Sequence, residues 1–217
     1  HYQSALTFNK RDLISVLKPY GIKSAKNYFL NKEDEINPDE IIEKVGLPCF
    51  VKANRAGSSF GITKVKKKNE LYRAAQNAFQ EDDEAIIESF LDGTEVSVGV
   101  ITYNGELLAL PVTEIVSENE FFDYEAKYLG KSQEITPARI SEEDTKKVQE
   151  IAKLIYKKLK MKGFSRSEFI FHNGEPHFIE MNTTPGLSRA SILPQQAAKA
   201  GISLQDLYGS AIETAIA

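Results

Sequence analysis

The sequence predicts an α+β fold in which helices pack in mixed layers with antiparallel strands. Its 217 residues are enough for one large domain or two small ones, and an apolar content of 41% suits a folded globule. Two Asn-Gly pairs, beginning at Asn104 and Asn173, each separate two extended runs. An Asn-Gly pair in that position is the strongest short-range signal for a hairpin. This order of elements favours antiparallel pairing beside helices over a regular βαβ winding.

The first half of the chain alternates helix and strand patterns. Asn9 can cap a helix that runs to about Tyr20, Asn37 caps a second that Gly46 closes, and Asn69 caps a third. Extended patterns cover KNYFL, LPCFVKA, ITKVK and EAIIESFL. A loop of small residues, NRAGSSFG, follows the apolar strand LPCFVKA.

The second half is dominated by the two predicted hairpins. TEVSVGVITY and ELLALPVTEI flank the first Asn-Gly pair, and FSRSEFIF and PHFIEMN flank the second. Between them, SENEFFDYEAKYLGKSQEITPARI has no clean period, so its first half is interpreted as a long ordered loop. Ser141 begins a helix to about Lys160, and a last capped helix starts near Ser203.

Composition excludes several classes of partner. A net charge of −4 and a pI near 5.6 argue against binding of nucleic acid or of an anionic membrane surface. No window approaches the roughly 18 consecutive apolar residues of a membrane helix, so a cytoplasmic location is expected. The single cysteine, Cys49, lies in an apolar run and is expected to be a packed, inert thiol. The first residue is His1 rather than methionine, which suggests a fragment of a longer product.

The second hairpin carries the most chemistry. Arg166 and Glu168 share one face of the first strand, while Glu180 and Asn182 share one face of the second. A two-residue turn would place Glu180 on the face opposite Glu168. A three-residue loop ending in a glycine bulge would instead pair Arg166 with Glu180, and all four groups would converge.

Converged, these groups would suit a metal and a phosphoryl group. Carboxylate and amide oxygens are ligands for Mg²⁺, which takes its remaining ligands from water and phosphates. A neighbouring arginine would bind a transferring phosphoryl group or an oxyanion. From the hairpin alone, a solvent-exposed polar face with cross-strand Arg–Glu pairs is the favoured interpretation.

The loop after LPCFVKA adds a second indication of phosphate binding. Gly57, Ser58, Ser59 and Gly61 supply closely spaced backbone N–H groups and hydroxyls, and Lys52 adds a cation at the end of the strand. No Gly-Lys-Ser/Thr follows, so this is not a Walker sequence. An ordinary connector with a solvated lysine is the alternative.

A short linker carries two glutamates. Glu88 and Glu95 lie at either end of ESFLDGTE, where they could bond to the amine and ribose hydroxyls of an adenosine. Solvated glutamates are the alternative at this point.

Five motifs occur together in one order, namely KANRAGSSFGITKV, IIESFLDGTEVSVGV, FFDYEAKY, TPARI and SRSEFIF with IEMNTTPGLSRAS. In this order the sequence resembles the central and C-terminal parts of D-alanine–D-alanine ligases of the ATP-grasp superfamily. The resemblance covers essentially the whole chain. It implies two α+β subdomains with the nucleotide between their antiparallel sheets. Residues 1–92 would be the small central subdomain with an N-terminal helix, and residues 93–217 the large C-terminal subdomain with the metal and substrate site.

The resemblance also implies site residues. For ATP these are Lys10, Lys52, Ser59, Gly61, Glu88, Phe90, Leu91, Glu95 and Lys127. Glu168, Glu180 and Asn182 would hold two Mg²⁺ ions, with Mn²⁺ as an alternative. Arg166 would stabilise the intermediates, and Ser58 and Tyr128 would communicate with the first amino acid. Gly186, Ser191 and Ile192 would line the second amino-acid pocket.

The sequence departs from the family pattern at several positions. Ala53 stands where the family commonly has proline, Asn9 precedes Lys10 where aspartate is usual, and Glu168 replaces an aspartate. The stretch from Glu168 to Glu180 is about one residue shorter than is typical, and this hairpin resembles the biotin-carboxylase branch. The family's N-terminal domain is missing, so the fragment is expected to be weakly active or inactive alone.

The expected activity is ATP-dependent joining of two D-alanines through a D-alanyl phosphate, for peptidoglycan precursor synthesis. The expected partners are ATP and D-alanine, with a homodimer allowed for the full-length protein. One alternative is an ATP-grasp ligase with another acceptor, such as D-lactate or an L-amino acid, although Tyr128 in its Lys-Tyr pair favours an amine acceptor. The other alternative is an ATP-binding module without catalysis.

Overall fold

The structure is a computed structural model that describes residues 1–58, 60–117 and 132–216. Its α-helices are α1 (Tyr2–Phe8), α2 (Lys10–Leu17), α3 (Pro38–Val45), α4 (Leu71–Ala78), α5 (Glu142–Lys158), α6 (Ile192–Lys199) and α7 (Leu204–Ile216). Its strands are β1 (Asn27–Asn31), β2 (Cys49–Ala53), β3 (Thr63–Val65), β4 (Glu84–Ser89), β5 (Thr94–Tyr103), β6 (Glu106–Ala109), β7 (Thr113–Ser117), β8 (Ser132–Ile135), β9 (Phe164–His172) and β10 (Glu175–Asn182). Short 3₁₀ turns follow α2 and precede α4.

The described strands form two antiparallel sheets. The small sheet has the order β1-β4-β2-β3, and the large sheet has the order β10-β9-β5-β7-β8 with β6 beside β5. Residues 90–93 connect the last strand of the small sheet to the first of the large one. The predicted α+β class is therefore confirmed. A domain boundary between residues 92 and 93 stays a prediction. Helix α2 precedes that boundary, yet its Leu13 and Leu17 pack in the core of the large sheet.

Local sequence signals set most helix starts. Asn9, Asn37, Ser141 and Ser203 each accept a hydrogen bond from a backbone N–H group two or three residues ahead. Such bonds satisfy N–H groups that have no partner within the helix. The predicted cap at Asn69 is wrong, because Asn69 lies inside the 3₁₀ turn that precedes α4.

Both Asn-Gly pairs form two-residue turns. Asn104 and Gly105 have φ angles of 50° and 78°, and Asn173 and Gly174 have φ angles of 52° and 74°. Positive φ at both central residues defines the type I′ turn, whose twist matches that of the flanking strands. The two predicted hairpins are thus confirmed, and the second has the shorter of the two loops considered for it.

Helices cover both faces of strand β5. Val96, Val98 and Val100 point into a core shared with α2, α5 and the β9–β10 hairpin. On the other face, Ile101 packs with Leu193 in a core formed with α6 and α7. The small sheet packs on α3 and α4 through a separate cluster. Beyond α6, residues on the same face of the large sheet, such as Glu95 and Ile170, line a cavity together with residues of the small sheet.

The buried thiol behaves as the sequence predicts. Cys49 is 0% exposed in the small-sheet core, and burial raises the pKa of its thiol to about 11. A neutral thiol at physiological pH is a poor nucleophile. Across the part of the chain that the structure describes, no helix has both the length and the apolar character that a membrane crossing requires.

Candidate functional site

Two adjoining cavities lie where the small sheet meets the large one. The first has a volume of about 460 Å³ and the second of about 570 Å³. Both are lined by Lys10, by residues 56–58 of the small-residue loop and by Glu180. Volumes of this size are typical of small-molecule sites. The shared lining makes the two cavities parts of one site.

The first cavity brings together most of the residues predicted to bind ATP. Its lining includes Lys10, Lys52, Ser58, Glu88, Phe90, Leu91, Glu95, Glu168 and Glu180. Apolar side chains from both sheets, among them Phe50 and Ile170, form much of the remaining wall. Gly61 does not line either cavity, although its neighbours Phe60 and Ile62 do. The cavity thus combines an apolar wall with a cluster of charges.

A buried ion pair lies in the wall of this cavity. Lys52 Nζ is 2.7 Å from Glu88 Oε2, and their side chains are 14% and 6% exposed. Burial disfavours the ammonium ion, but the charges of Glu88, Glu180 and Glu95 outweigh it and raise the pKa of Lys52. Lys52 is therefore a permanent cation in the cavity at neutral pH.

The register of the β9–β10 hairpin explains how its polar groups converge. On the turn side of Ile179, Phe178 pairs with Phe169. On the other side of Ile179, Glu180 pairs with Glu168. A β-bulge at Ile179 supplies the one-residue shift between these pairs. The convergence considered from the sequence is therefore present, but the bulge produces it rather than a three-residue loop. The pairing of Arg166 with Glu180 that a three-residue loop would give does not occur, because Arg166 lies opposite Asn182.

Arg166 and Glu168 interact along one strand face. Arg166 Nη2 donates to Glu168 Oε1 at 2.8 Å, and both side chains are largely buried, with 15% and 7% exposed. The Nε atom of Arg166 is buried and has no hydrogen-bond partner among the described residues. A buried N–H group without a partner is costly, so this donor is suited to an anionic ligand.

The donor set at the hairpin fits a hard divalent cation. Glu168 and Glu180 are direct cross-strand neighbours, and Asn182 follows on the same face. In the described residues, no group of three or more His, Cys, Asp and Glu side chains has metal-binding geometry. Two carboxylates and one amide oxygen are hard oxygen donors, and Mg²⁺ completes such incomplete sets with water and phosphate oxygens.

The second cavity contains the residues predicted for the second amino acid. Gly186, Ser191 and Ile192 line it together with Arg166 and Asn182. Gly186 permits close contact here, because a Cβ at this position would lie 2.6 Å from Ser191 Oγ. Ser191 is also the N-cap residue of α6, so the first N–H groups of that helix lie at the cavity wall.

Glu134 is a cavity residue that the sequence analysis missed. It lines the second cavity and accepts a hydrogen bond from Gln195 Nε2 at 3.3 Å. Burial raises the pKa of Glu134, while the charge of Arg166 opposes this effect. Strand β8, which carries it, was not predicted either, and no local signal marked Glu134 as a site residue.

Glu114 and Ile179 were missed as well. Glu114 lines the first cavity and makes a two-bond pair with Arg139, at 2.8 Å for each bond. Ile179 lines the same cavity because the bulge turns it to that face. A sequence signal existed for Ile179, since the core residues Phe178 and Met181 are three positions apart rather than two.

Three predicted site residues lie outside the described residues. They are Ser59 of the small-residue loop and Lys127 and Tyr128 of the long segment before β8. Their roles remain predictions from the sequence.

Comparisons with known proteins agree with this geometry. The family model described as D-ala D-ala ligase C-terminus matches residues 16–213. A D-alanine–D-alanine ligase of Christiangramia forsetii is 81% identical over 216 residues, which are 100% of this chain and 66% of that protein. The chain thus spans about two thirds of the length of this curated relative.

Two solved structures show the same fold. The D-alanine–D-alanine ligase from Bacillus anthracis, in complex with ATP, superposes with a TM-score of 0.84 at 29% identity. It covers 99% of this chain, which corresponds to 67% of that chain. The VanG D-Ala:D-Ser ligase from Enterococcus faecalis superposes with a TM-score of 0.83 at 35% identity, over 98% of this chain and 62% of its own. These likenesses confirm the ATP-grasp form of the α+β fold.

Proposed function

The chain belongs to the D-alanine–D-alanine ligase family, whose C-terminal model matches residues 16–213, and we propose that it forms the ATP-binding and metal-binding part of a ligase that joins two D-alanines. The observation that carries the proposal is the convergence of Arg166, Glu168, Glu180 and Asn182 where two cavities meet. A ligase of this type needs a nucleotide, a metal and two amino acids close together. The two cavities supply that arrangement.

ATP would occupy the first cavity. Phe90, Leu91 and Ile179 offer an apolar wall for the adenine, and Glu95 offers a carboxylate to the ribose. Glu88 is engaged by Lys52, so its contribution to the adenine pocket would act through this pair. Lys10 and Lys52 provide the positive charge that the phosphates require. Ser59, Gly61 and Lys127 would complete the phosphate site from the two loops.

Glu168, Glu180 and Asn182 would hold the metal. The proposal is two Mg²⁺ ions, with Mn²⁺ as an alternative, since all three side chains offer oxygen donors. When bound, the metal neutralises the charge of the phosphate groups. The cross-strand placement of Glu168 and Glu180 presents two carboxylates to the same point.

The reaction would take place at the boundary of the cavities. A carboxylate oxygen of the first D-alanine bonds to the γ-phosphorus of ATP. At the same time the bond between the γ-phosphorus and the departing ADP oxygen breaks, which yields D-alanyl phosphate. The amine of the second D-alanine then attacks the carbonyl carbon, and phosphate leaves as the peptide bond forms. Arg166 lies beside this point and would donate to the oxyanion, so most of the catalysis is positioning and charge stabilisation.

The two amino acids would be held by different segments. Ser58 lines both cavities and would face the first D-alanine together with Tyr128. Gly186, Ser191 and Ile192 would bind the second D-alanine at the start of α6. The product would serve peptidoglycan precursor synthesis in the cytoplasm, and the proposal allows a homodimer of the full-length protein.

Thermal unfolding with and without Mg-ATP tests the proposal. ATP at about 100 times its dissociation constant adds roughly 2.7 kcal/mol, which raises the Tm of a chain this size by about 5–11 °C. Glu180→Ala should remove the part of the rise that depends on magnesium. Glu175→Ala is the matched control, because Glu175 lies on the same strand and pairs with Lys23 and Lys147 away from the cavities. A rise that persists in Glu180→Ala would contradict the assigned metal site.

A second candidate is a ligase with another acceptor. The likeness to a D-Ala:D-Ser ligase favours it, because that protein has the same fold at 35% identity. Phosphate release should be measured with D-alanine alone and with added D-serine or D-lactate, in this chain and in the full-length protein. Faster release with D-serine or D-lactate than with D-alanine alone would support the second candidate.

Arg166→Ala separates both ligases from an ATP-binding module without catalysis. In a ligase, this substitution should abolish phosphate release, because the oxyanion loses its donor. In a module without catalysis, the full-length protein would release no phosphate even before the substitution.

A further inference from the structure

Asn54 is the centre of a buried hydrogen-bond network at the end of strand β2. It is 1% exposed. Its Nδ2 atom donates to Asn9 Oδ1 at 2.9 Å and to Glu84 Oε2 at 2.7 Å, and its Oδ1 atom accepts from the backbone N–H of Arg11 at 2.8 Å. Both donors and the acceptor of the amide are therefore in use. Such a network fixes the side chain in one orientation.

This network joins the two sheets. Asn54 directly follows β2, whose Val51 lies in the core of the small sheet. The segment that it contacts begins α2, whose Leu13 and Leu17 lie in the core of the large sheet. The side chain of Asn54 therefore links an element of one core to an element of the other.

The backbone of the same residue anchors Lys10. The carbonyl oxygen of Asn54 accepts from the backbone N–H of Lys10 at 3.3 Å and from its Nζ at 3.5 Å. The carbonyl oxygen of Ala56 accepts from Lys10 Nζ at 2.8 Å. Lys10 lines both cavities, so the position of its ammonium group depends on how α2 is held against residues 54–56.

Asn9 shows why neutral amides suit this junction. Its Oδ1 atom accepts from the backbone N–H of Asp12, and its Nδ2 atom donates to the carboxylate of Asp12 at 2.8 Å. An aspartate at position 9 would face the Asp12 carboxylate without a donor, beside Glu84. Asn9 and Asn54 thus bridge two acidic groups without adding charge.

We propose that Asn54 is a positioning residue that fastens α2 to the small sheet and thereby holds the ammonium group of Lys10 where the two cavities meet. Its effect on an anionic ligand would be exerted through Lys10. Identifying that ligand as ATP rests on the proposed function. The position of Lys10 itself does not.

A double-mutant cycle on Mg-ATP affinity tests the coupling. Asn54→Ala should weaken binding by about tenfold in the wild-type background and by much less in a Lys10→Ala background. Asn37→Ala is the matched control, because it likewise removes the hydrogen bonds of an asparagine, here the cap of α3, which packs on β1 and β4 of the small sheet. Equal losses in both backgrounds would overturn the proposal, since Asn54 would then act without Lys10.

A second measurement needs no nucleotide. Limiting acetylation of the protein, followed by mass spectrometry, reports the accessibility of Lys10 relative to the exposed Lys199. Asn54→Ala should raise the relative labelling of Lys10 several-fold, and Asn37→Ala should leave it unchanged. Unchanged labelling in Asn54→Ala would overturn the proposal.

Two further outcomes are covered. If Asn54→Ala does not fold, Glu84→Ala carries both measurements, because it removes one acceptor of the Asn54 amide at a half-buried position. Glu84→Ala should change affinity and labelling in the same direction by a smaller factor, and no change in either would overturn the proposal. If the wild-type chain binds no Mg-ATP, the proposed function fails and the labelling result alone decides the role of Asn54.

Discussion

The ammonium group of Lys52 lies 2.7 Å from a carboxylate oxygen of Glu88, and the two side chains are 14% and 6% exposed. Removal of one partner of such a pair leaves an uncompensated buried charge. We therefore expect Lys52→Met to lower the free energy of unfolding by about 3–5 kcal/mol. Urea unfolding at pH 7 measures this loss. Adding Glu88→Gln to Lys52→Met should recover part of this lost stability. A loss below about 1 kcal/mol for Lys52→Met alone would contradict a buried, uncompensated Glu88.

The stabilisation from the Lys52–Glu88 pair should depend on pH in the alkaline range. The pKa of Lys52 is raised in the folded protein, against the effect of burial, by Glu88 and the neighbouring carboxylates. A raised pKa means that the stabilisation is complete below the ordinary value of 10.5 and is lost as the pH rises through the folded value. The stability difference between wild type and Lys52→Met should therefore be constant near neutral pH and shrink above pH 10.5.

The stabilisation from the Glu114–Arg139 pair should show the opposite dependence and be lost at acid pH. Hydrogen bonds from Arg139 lower the pKa of Glu114 below its ordinary value of 4.5, against the effect of burial. A lowered pKa gives a stabilisation that is present above 4.5 and lost as the pH falls through the folded value. Denaturant unfolding of Glu114→Gln should differ from wild type at pH 6 to 7 and approach it at lower pH. A difference that grows on acidification would show that the pair with Arg139 is not the cause.

Gly99 predicts a packing effect beneath the second cavity. A Cβ at Gly99 would lie 2.6 Å from both Gln196 Oε1 and Leu193 Cδ1, so Gly99→Ala must push aside two fully buried side chains of α6. Overpacking of this kind costs about 1–3 kcal/mol. Gly209→Ala makes the same change in α7, where a Cβ meets nothing within 4 Å. We expect this control to be stabilising by up to about 1 kcal/mol, and thermal unfolding of both variants compares them.

Moving these side chains should shift α6 and so weaken the proposed second amino-acid pocket, since Ser191 and Ile192 lie at the start of that helix. A Gly99→Ala variant that matches wild type in both stability and acceptor affinity would contradict overpacking at this position.

Local signals were sufficient for much of the fold. Caps at Asn9, Asn37 and Ser141 and the two Asn-Gly turns depend on neighbouring residues only, so the sequence predicts them directly. The sequence did not predict α6, because Pro194 interrupts its helical pattern. Pro194 is the third residue of the helix, and the first turn of a helix tolerates a proline. Helix α1 is seven residues long and carries too short an apolar pattern to be recognised.

The parts of the site that were missed depend on contacts between distant segments. Glu134 meets Gln195 across 61 positions, and Asn54 meets Arg11 across 43. A single sequence does not specify such partners, because each residue alone is an ordinary polar side chain. The resemblance to ligases supplied the residues of the shared motifs, but it gave no information on residues outside those motifs.

The bulge at Ile179 has a consequence for how the site can vary. It turns two successive side chains, Ile179 and Glu180, toward the same cavity, while Phe178 and Met181 remain in the core. Deleting Ile179 would leave Glu180 opposite Glu168 in an unbroken ladder and would remove one apolar contact from the cavity wall. Shortening this strand by one residue should therefore alter the apolar wall of the first cavity, where the proposed nucleotide base would lie, while Glu180 stays opposite Glu168.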